Sequence, residues 1–234
     1  MLPLKRPAMV MLGLWCLLGG CRAVPPAPVE LVELSALDPT LHFDIRYATA
    51  HNFTGRPLYA QARAFLQRPA AEALVRAHRA LCQQGYGLVV YDAYRPWSVT
   101  RALWDAASSA ARREGFVADP AVGSKHNRGC AVDVGLYALA TGQEVPMPSG
   151  YDEFSERAKP TYPGGTAAAR AARDTLRRAL EAEGFTVSDQ EWWHFDYRDW
   201  PRYPVLDVPF EALPRRAPKA DVGAASCGYR AGGK

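Results

Sequence analysis

The feature that most constrains this chain is an aspartate inside an apolar segment. Residues 130-CAVDVGLYAL-139 alternate as a β-strand does, and Asp133 stands between Val132 and Val134. If the side chain of Asp133 faces inward, burying its bare carboxylate is energetically costly. A cation next to the carboxylate would remove that cost, whereas an aspartate at the edge of a strand would need no such partner.

Two histidines can complete a metal site around this aspartate. His126 precedes the strand in 124-SKHNRGCAVD-133, and His194 lies in 191-EWWHFDY-197. Zinc accepts imidazole nitrogens and carboxylate oxygens, and a catalytic zinc site has three protein ligands and one position open to water. We therefore predict that His126, Asp133 and His194 bind Zn²⁺.

A glutamate lies close to one of the predicted ligands. Glu191 stands three residues before His194, and metal-assisted hydrolysis needs a base beside the attacking water. Positions three apart on a regular strand point to opposite faces, so the two side chains converge only at a bulge, a strong twist or a strand end. Trp192 and Trp193 either wall the pocket or pack in the core. We predict that Glu191 is the general acid/base.

An arginine follows the end of a second apolar strand. Arg95 stands before a proline in 91-YDAYRPWS-98, and a guanidinium fixed there could stabilise negative charge on a carbonyl oxygen. A surface arginine in a turn is the alternative. A serine-hydrolase triad of Ser124, His126 and Asp133 is disfavoured, because no G-x-S-x-G elbow surrounds the serine.

The order of helices and strands is mixed, which favours an α+β fold with one domain and a mixed or antiparallel central sheet flanked by helices. Helices are predicted where apolar residues recur at helical spacing between capping signals, and strands where apolar, β-branched and aromatic residues alternate or cluster. The predicted helices are 69–84, 98–113 and 166–184, and the predicted strands are 41–47, 87–94, 130–139 and 191–197.

The beginning of the chain has the pattern of an export signal. Lys5 and Arg6 precede an apolar run from Ala8 to Leu18, which is shorter than the roughly 20 residues that cross a bilayer. The ending Leu18-Gly19-Gly20-Cys21 resembles the lipobox of bacterial lipoproteins. A plain secretory signal with a chance cysteine is the alternative.

We therefore predict a signal peptide over 1–20, lipidation of Cys21 and a proline-rich tether over 21–31. Arg22, rather than an aspartate, follows the cysteine. This resembles the Gram-negative lipoproteins that are sorted to the outer membrane. The expected product is an exported lipoprotein that faces the periplasm and is anchored in the outer membrane through its lipid.

Charge and cysteine usage exclude several other classes of protein. The formal net charge is +4, but removal of Lys5 and Arg6 with the predicted signal peptide leaves 26 basic against 24 acidic residues, and an excess of +2 is too small to indicate nucleic-acid binding. Cys82, Cys130 and Cys227 are widely spaced, so neither a thiolate zinc site nor a disulfide scaffold is expected; one bridge could form after export, between an undetermined pair. The folded domain is predicted over 32–213, and a disordered tail over 214–234.

Taken together, these segments resemble one known family. The stretches 124-SKHNRGCAVD-133, 191-EWWH-194 and 92-DAYRP-96 are similar to the motifs of D-alanyl-D-alanine dipeptidases of the VanX type. These enzymes are zinc peptidases of the Hedgehog and DD-peptidase-like superfamily. The likeness covers roughly 32–210 and includes three further segments: 47-YATAHNFTG-55, 85-GYGLVVYDAYRP-96 and 143-QEVPMPSGYDEFSER-157.

The resemblance implies a Hedgehog/DD-peptidase-like fold and zinc-dependent hydrolysis of D-alanyl-D-alanine to two D-alanines. The three ligands named above would hold the zinc, Glu191 would be the general acid/base, and Arg95 would stabilise the tetrahedral intermediate. Tyr47, Ser124 and Asp152 fall where the family holds the ends of the dipeptide.

Two other functions stay open. A zinc D,D-carboxypeptidase on the same fold would trim the terminal D-Ala from peptidoglycan stem peptides, through a pocket open beyond the amino end of the scissile pair. A non-catalytic zinc or cell-wall binding protein would need neither Glu191 nor Arg95. Because an exported enzyme cannot reach the cytosolic dipeptide pool, we expect scavenging or recycling of cell-wall dipeptide rather than antibiotic resistance.

Overall fold

The computed structural model describes residues 25–215 and Cys227. The predicted signal peptide over 1–20, the predicted lipidation site at Cys21 and nearly all of the predicted tail over 214–234 lie outside the described residues. Within the described part of the chain, no helix is both long enough and apolar enough to cross a membrane.

Strands and helices alternate irregularly along the described chain. In order they are β1 (Leu31–Glu33), α1 (Leu34–Leu37), β2 (His42–Phe43), β3 (Phe65–Gln67), α2 (Arg68–Cys82), β4 (Tyr86–Asp92), α3 (Trp97–Ala106), α4 (Ser109–Arg113), β5 (Ala131–Ala138), α5 (Ala167–Ala182), β6 (Phe185–Val187) and β7 (His194–Tyr197).

The central sheet has the strand order β2-β4-β5-β7-β6. Strand β2 runs parallel to β4, and the other neighbours are antiparallel, so the sheet is mixed. Helix α2 packs against β4, and α5 packs against β5 and β6. Strands β1 and β3 form a separate antiparallel pair. The predicted α+β domain with a mixed sheet and flanking helices is confirmed.

Most of the long predicted elements are confirmed within two residues at each end, namely the helices over 69–84 and 166–184 and the strands over 87–94 and 130–139. The predicted helix over 98–113 is wrong, since α3 and α4 are separate. Ser108 ends the continuity, because its hydroxyl accepts a hydrogen bond from the N–H of Ala111 and caps α4.

The predicted strand over 41–47 is correct only at β2. A 3₁₀ turn at Arg46–Ala48 replaces its second half. The carbonyl oxygen of Tyr47 accepts hydrogen bonds from the N–H groups of Leu58 and Tyr59, which draws the chain out of the sheet. Strands β1, β3 and β6 were not predicted, because three residues are too few to show a periodic pattern.

Residues 27–31, which the sequence assigned to the tether, contact the domain. The N–H of Ala27 donates to the carbonyl of Arg202 at 3.0 Å, and the N–H of Glu30 donates to the side chain of Gln67 at 2.8 Å. The amide of Gln67 is fully buried and needs such partners. The folded unit therefore starts before the predicted boundary.

Candidate functional site

Three neighbouring strands place acidic and imidazole side chains in one row. Asp92 at the end of β4 is paired with Asp133 in β5, and Asp133 is paired with His194 at the start of β7. Residues directly opposite each other on adjacent strands project from the same face of a sheet. The register of the sheet thus brings together three groups that are far apart in the sequence.

His126 reaches this row from the turn before β5. Residues His126–Arg128 form a 3₁₀ turn, and Gly129 ends it with a φ of 67°. The left-handed conformation favours glycine, and a β-carbon on Gly129 would also lie 2.6 Å from the side chain of Leu31 and 3.3 Å from the backbone nitrogen of Gln67, so the space is tight. The N–H of Arg95 donates to the carbonyl of His126 at 3.1 Å, which ties the turn to the chain that leaves β4.

The donor atoms of His126, Asp133 and His194 converge on one point. Nε2 of His126 lies 3.0 Å from Nδ1 of His194 and 3.3 Å from Oδ1 of Asp133. The same Oδ1 lies 3.0 Å from Nδ1 of His194. A tetrahedral ion with bonds of about 2.0–2.1 Å holds its ligand atoms about 3.3 Å apart. The spacing therefore suits one small metal ion.

Hydrogen bonds on the far side of each imidazole direct its lone pair toward that point. Nδ1 of His126 donates to the carbonyl of Ala93 at 2.6 Å, and Nε2 of His194 donates to Oδ1 of Asp196 at 2.9 Å. In the neutral rings, the nitrogens that face Asp133 then carry lone pairs. Three electron-rich atoms this close repel one another unless a positive charge lies among them. The residues therefore fit a metal cation.

The pKa of His194 also indicates that its surroundings favour a positive charge. Burial lowers this pKa, but hydrogen bonds with Asp133 and Asp196 outweigh burial and raise it to about 10. Burial likewise raises the pKa of Asp133, but His126 and His194 hold it well below its usual range. A proton on His194 or a metal ion can supply the charge, and the two compete for the same lone pair.

Glu191 lies beside the three donors, in a turn rather than in a strand. The predicted strand over 191–197 is wrong at its start, since β7 begins at His194 and the two tryptophans form the preceding turn. This strand end lets Oε2 of Glu191 approach Nδ1 of His194 to 4.0 Å. Trp192 and Trp193 are buried. Burial raises the pKa of Glu191 to about 8, although His194 opposes the rise.

Arg95 is buried and is held by Asp92. Its Nε and Nη2 donate to Oδ2 of Asp92 at 2.9 and 2.7 Å, and the hydroxyl of Tyr59 donates to the other oxygen at 2.7 Å. Nη2 lies 3.8 Å from Oδ2 of Asp133, so the guanidinium borders the donor atoms and is not a surface group. Burial lowers the pKa of Arg95, but Asp92 leads the charges that raise it well above its usual range.

Asp152 presents a carboxylate without a cationic partner. Its backbone has a φ of 56°, and its oxygens accept hydrogen bonds from the hydroxyl of Tyr47 and the N–H of Phe53, each at 3.2 Å. Among the described residues, no basic side chain lies within 4.0 Å of this carboxylate. Burial raises the pKa of Asp152 to about 7. The group is therefore suited to a cation from outside the protein.

Ser124 stabilises the turn that carries His126. Its hydroxyl accepts a hydrogen bond from the N–H of His126 at 3.2 Å, and its own N–H donates to the side chain of Asn127 at 2.7 Å. The two ring nitrogens of His126 contact the carbonyl of Ala93 and the side chains of His194 and Asp133 instead. Ser124 and His126 therefore do not form a serine-hydrolase pair.

All the predicted site residues in the described chain line one cavity of about 650 Å³, and they are Tyr47, Arg95, Ser124, His126, Asp133, Asp152, Glu191 and His194. Cys21, the predicted lipidation site, lies outside the described residues.

The sequence reasoning missed the residues that orient the site. Asp92 holds the guanidinium, and the hydroxyl of Tyr151 donates to Oδ2 of Asp133 at 3.0 Å. Asp196 accepts a hydrogen bond from His194. Strand alternation could have revealed Asp196, because it stands two residues after His194 and so shares its face. Tyr151 has no comparable local signal, since it lies in a loop.

A cation beside a buried glutamate can activate water for hydrolysis, which places this chain among the metal-dependent hydrolases. Comparison with protein families narrows the class. Residues 28–212 match the model of peptidase family M15 that is described as D-ala-D-ala dipeptidase, and the chain belongs to this family of metallopeptidases.

Curated relatives agree with the family match. A D-alanyl-D-alanine dipeptidase of Escherichia coli is 37% identical over 184 residues, which cover 79% of this chain and 93% of the relative. Proteins of the same name from Enterococcus faecium and Enterococcus faecalis are 34% and 36% identical over 202 and 190 residues. Those matches cover 76% and 72% of this chain and 98% and 92% of the relatives. The resemblance found in the motifs is confirmed.

We expect Asp196→Asn to weaken metal binding by about 10–100-fold, the usual effect of losing a carboxylate that orients a histidine ligand. The dissociation constant is measured by competition with a chelator on the folded protein. Lys125→Met is the matched control, because Lys125 is the other partner of Asp196, at 3.1 Å. Its removal should change the metal affinity by less than about threefold, because the Lys125 side chain is partly exposed and water screens its charge. Equal losses in both variants would contradict the orienting role of Asp196.

Proposed function

We propose that this chain is a zinc dipeptidase that hydrolyses D-alanyl-D-alanine to two molecules of D-alanine. The observation that carries the proposal is the position of Glu191 beside three converging metal donors, in the cavity that also holds Asp152. The relatives named above as D-alanyl-D-alanine dipeptidases support the choice of substrate.

Zinc suits the donor set of His126, Asp133 and His194. Two imidazole nitrogens and one carboxylate oxygen are ligands that Zn²⁺ accepts, and three protein ligands leave a position for water or substrate. When bound there, the ion supplies Lewis acidity, which activates water and polarises the scissile carbonyl.

Glu191 moves the proton in this mechanism. As a carboxylate it takes a proton from the water that attacks the peptide carbon, and it then gives that proton to the leaving nitrogen as the C–N bond breaks. Burial favours the neutral acid, with a pKa of about 8, whereas a cation beside it favours the carboxylate. These opposing effects keep its pKa in the range where one group can accept and then donate.

Arg95 stabilises the negative charge that develops on the carbonyl oxygen. Asp92 holds the guanidinium of Arg95 in place, and the central carbon of this group lies 5.1 Å from the ring centroid of Tyr47. The guanidinium therefore needs little reorganisation during the reaction. Because Arg95 is buried, its charge is poorly screened by water and acts strongly on the oxyanion.

Asp152 binds the free ammonium of the dipeptide, and Tyr47 and Ser124 help to hold its ends. A buried carboxylate without a cationic partner gains a favourable ion pair when the substrate enters. This arrangement selects a substrate with a free amino group, which distinguishes a dipeptidase from a carboxypeptidase that acts on longer stem peptides.

We expect Glu191→Gln to reduce kcat for D-alanyl-D-alanine by about 10²–10⁴-fold, because proton transfer is lost while the shape of the side chain is kept. Zinc content, measured by elemental analysis, should stay at one equivalent. His194→Ala should instead lose the zinc, since it removes a ligand. Unchanged turnover in Glu191→Gln would exclude this residue as the acid/base.

The affinity for the free dipeptide should depend on pH through Asp152. Its raised pKa of about 7 means that Asp152 is ionised above this pH and neutral below it, so KM should rise as the pH falls through 7. In Asp152→Asn, KM should be high throughout and lack this pH dependence. The N-acetylated dipeptide, which has no ammonium, is the control substrate. If it is cleaved as well as the free dipeptide, a D,D-carboxypeptidase function replaces the proposal.

We also propose that the enzyme is exported as a lipoprotein anchored through Cys21 and that it recycles dipeptide released from peptidoglycan. The basic, apolar and lipobox-like segments at the start of the chain support this location. Cys21→Ala should move the enzyme from the membrane fraction to the soluble fraction of the cell envelope. Strong glycopeptide resistance in a sensitive host that expresses the full-length chain would contradict recycling.

A further inference from the structure

Cys82, the last residue of α2, lies next to Cys227 although 145 residues separate them. Their Cα atoms are 5.0 Å apart, within the range of about 4.4–6.8 Å that disulfides occupy, and the structure joins the two sulfur atoms. Cys130 is buried and free. The sequence left the pairing open, and the structure selects Cys82 and Cys227.

His78 is the third member of this cluster and raises the alternative of a second metal site. Its Nε2 lies 3.8 Å from Sγ of Cys82 and 3.5 Å from Sγ of Cys227. However, the N–H of Leu88 donates to Nδ1 of His78 at 3.1 Å, so the hydrogen of the neutral ring is on Nε2. Nε2 then donates to the hydroxyl oxygen of Thr40 at 2.9 Å. A nitrogen that carries a hydrogen offers no lone pair to a metal.

The surroundings keep His78 in this neutral form. The ring is fully buried, and burial lowers its pKa to about 4, although the carboxylate of Asp38 opposes the change. Arg79 and His42 disfavour a charge on the ring as well. Both ring nitrogens of His78 are therefore used in hydrogen bonds with Leu88 and Thr40. The cluster thus favours a disulfide over a metal site.

The cysteine pair lies at the end of β4 remote from the catalytic cavity. Leu88, which contacts His78, is near the start of β4, whereas Asp92 at its end holds Arg95. Four residues of strand separate these positions by about 13 Å. Along the chain, every predicted metal ligand lies between the two cysteines, as do Glu191 and Arg95. A cross-link there restricts the unfolded state of the segment that builds the site.

We propose that Cys82 and Cys227 form a disulfide after export, which rests on the exported location proposed above, and that this bridge links Cys227 to α2 and stabilises the catalytic domain. The oxidant is the disulfide of a thiol oxidoreductase in the oxidising compartment. The half-buried Cys227 attacks that disulfide as a thiolate and expels one thiolate of the oxidant. Cys82 then attacks the sulfur of Cys227 and expels the second. Two thiols of this chain become one bridge, and the oxidant leaves as a dithiol.

Peptide mapping tests the pairing directly. The full chain is produced with its own N-terminal segment in a Gram-negative host, extracted in denaturant with N-ethylmaleimide present so that buried thiols also react, and digested with trypsin without reductant. We expect peptides 80–101 and 220–230 to be linked and to separate on reduction, while peptide 129–157 carries the maleimide on Cys130. Recovery of both Cys82 and Cys227 as maleimide adducts, or a link from Cys227 to Cys130, overturns the proposal.

A second arm separates failed export from failed pairing. Purified chain that carries free thiols is treated with oxidised glutathione, which should produce the same linked peptide. If the linked peptide forms here but not in cells, the pairing stands and export is refuted. If it forms in neither case, the pairing itself is refuted.

Thermal unfolding tests the stabilising role. A phosphine reductant should lower the Tm of the wild type and of the control Cys130→Ser by roughly 5–15 °C, as expected for a bridge that closes a long loop. The double variant Cys82→Ser/Cys227→Ser should show no shift, which controls for any effect of the reductant on bound metal. An unchanged Tm in fully reduced wild type overturns the stabilising role.

Turnover and zinc content complete the test. Reduction should change kcat/KM for the dipeptide by less than about twofold, because distant sites act nearly independently. Zinc should stay at one equivalent in the wild type and in the double variant. A second equivalent that requires both cysteines would assign the cluster to a metal and overturn the disulfide.

Discussion

The buried carboxylate of Asp133 must be matched by positive charge, and much of the surrounding structure meets that need. His126 and His194 direct lone pairs toward the same point as Oδ1 of Asp133, and each ring is held there by an acceptor on its far side. The other oxygen of Asp133 accepts a hydrogen bond from Tyr151 and faces Arg95. In the middle of a sheet, where water cannot compensate the charge, this arrangement is stable only with a proton or a metal ion among the donors.

The site is built at the ends of strands rather than in their middles. The sheet register aligns Asp92, Asp133 and His194, while the remaining groups enter from the turns that flank these strands. Glu191 can approach His194 only because β7 has not yet begun at that position, and Gly129 allows the sharp turn that presents the neighbouring histidine.

Carboxylates in one cavity differ in pKa because their neighbours differ. Asp133 is surrounded by imidazoles and a guanidinium and stays ionised, whereas Glu191 and Asp152 are buried with less compensation and have raised pKa values. In the proposed mechanism, this separation lets one carboxylate hold a metal, a second transfer a proton and a third bind an ammonium. The cysteine pair lies at the opposite end of β4 and does not touch these groups, and in our proposal its bridge adds stability to the domain.

The sequence by itself determined the helices with clear periodicity, such as α2 and α5, and picked out the residues whose chemistry was out of place. Asp133 in an apolar strand, the imidazole of His194 and Glu191 near two tryptophans were visible because local patterns record burial and polarity. Only the tertiary structure decided the contacts between distant segments. The alignment of strands, the hydrogen bond from Tyr151, the start of β7 and the choice of cysteine pair depend on packing between segments far apart in the chain. Local sequence patterns carry no record of such packing.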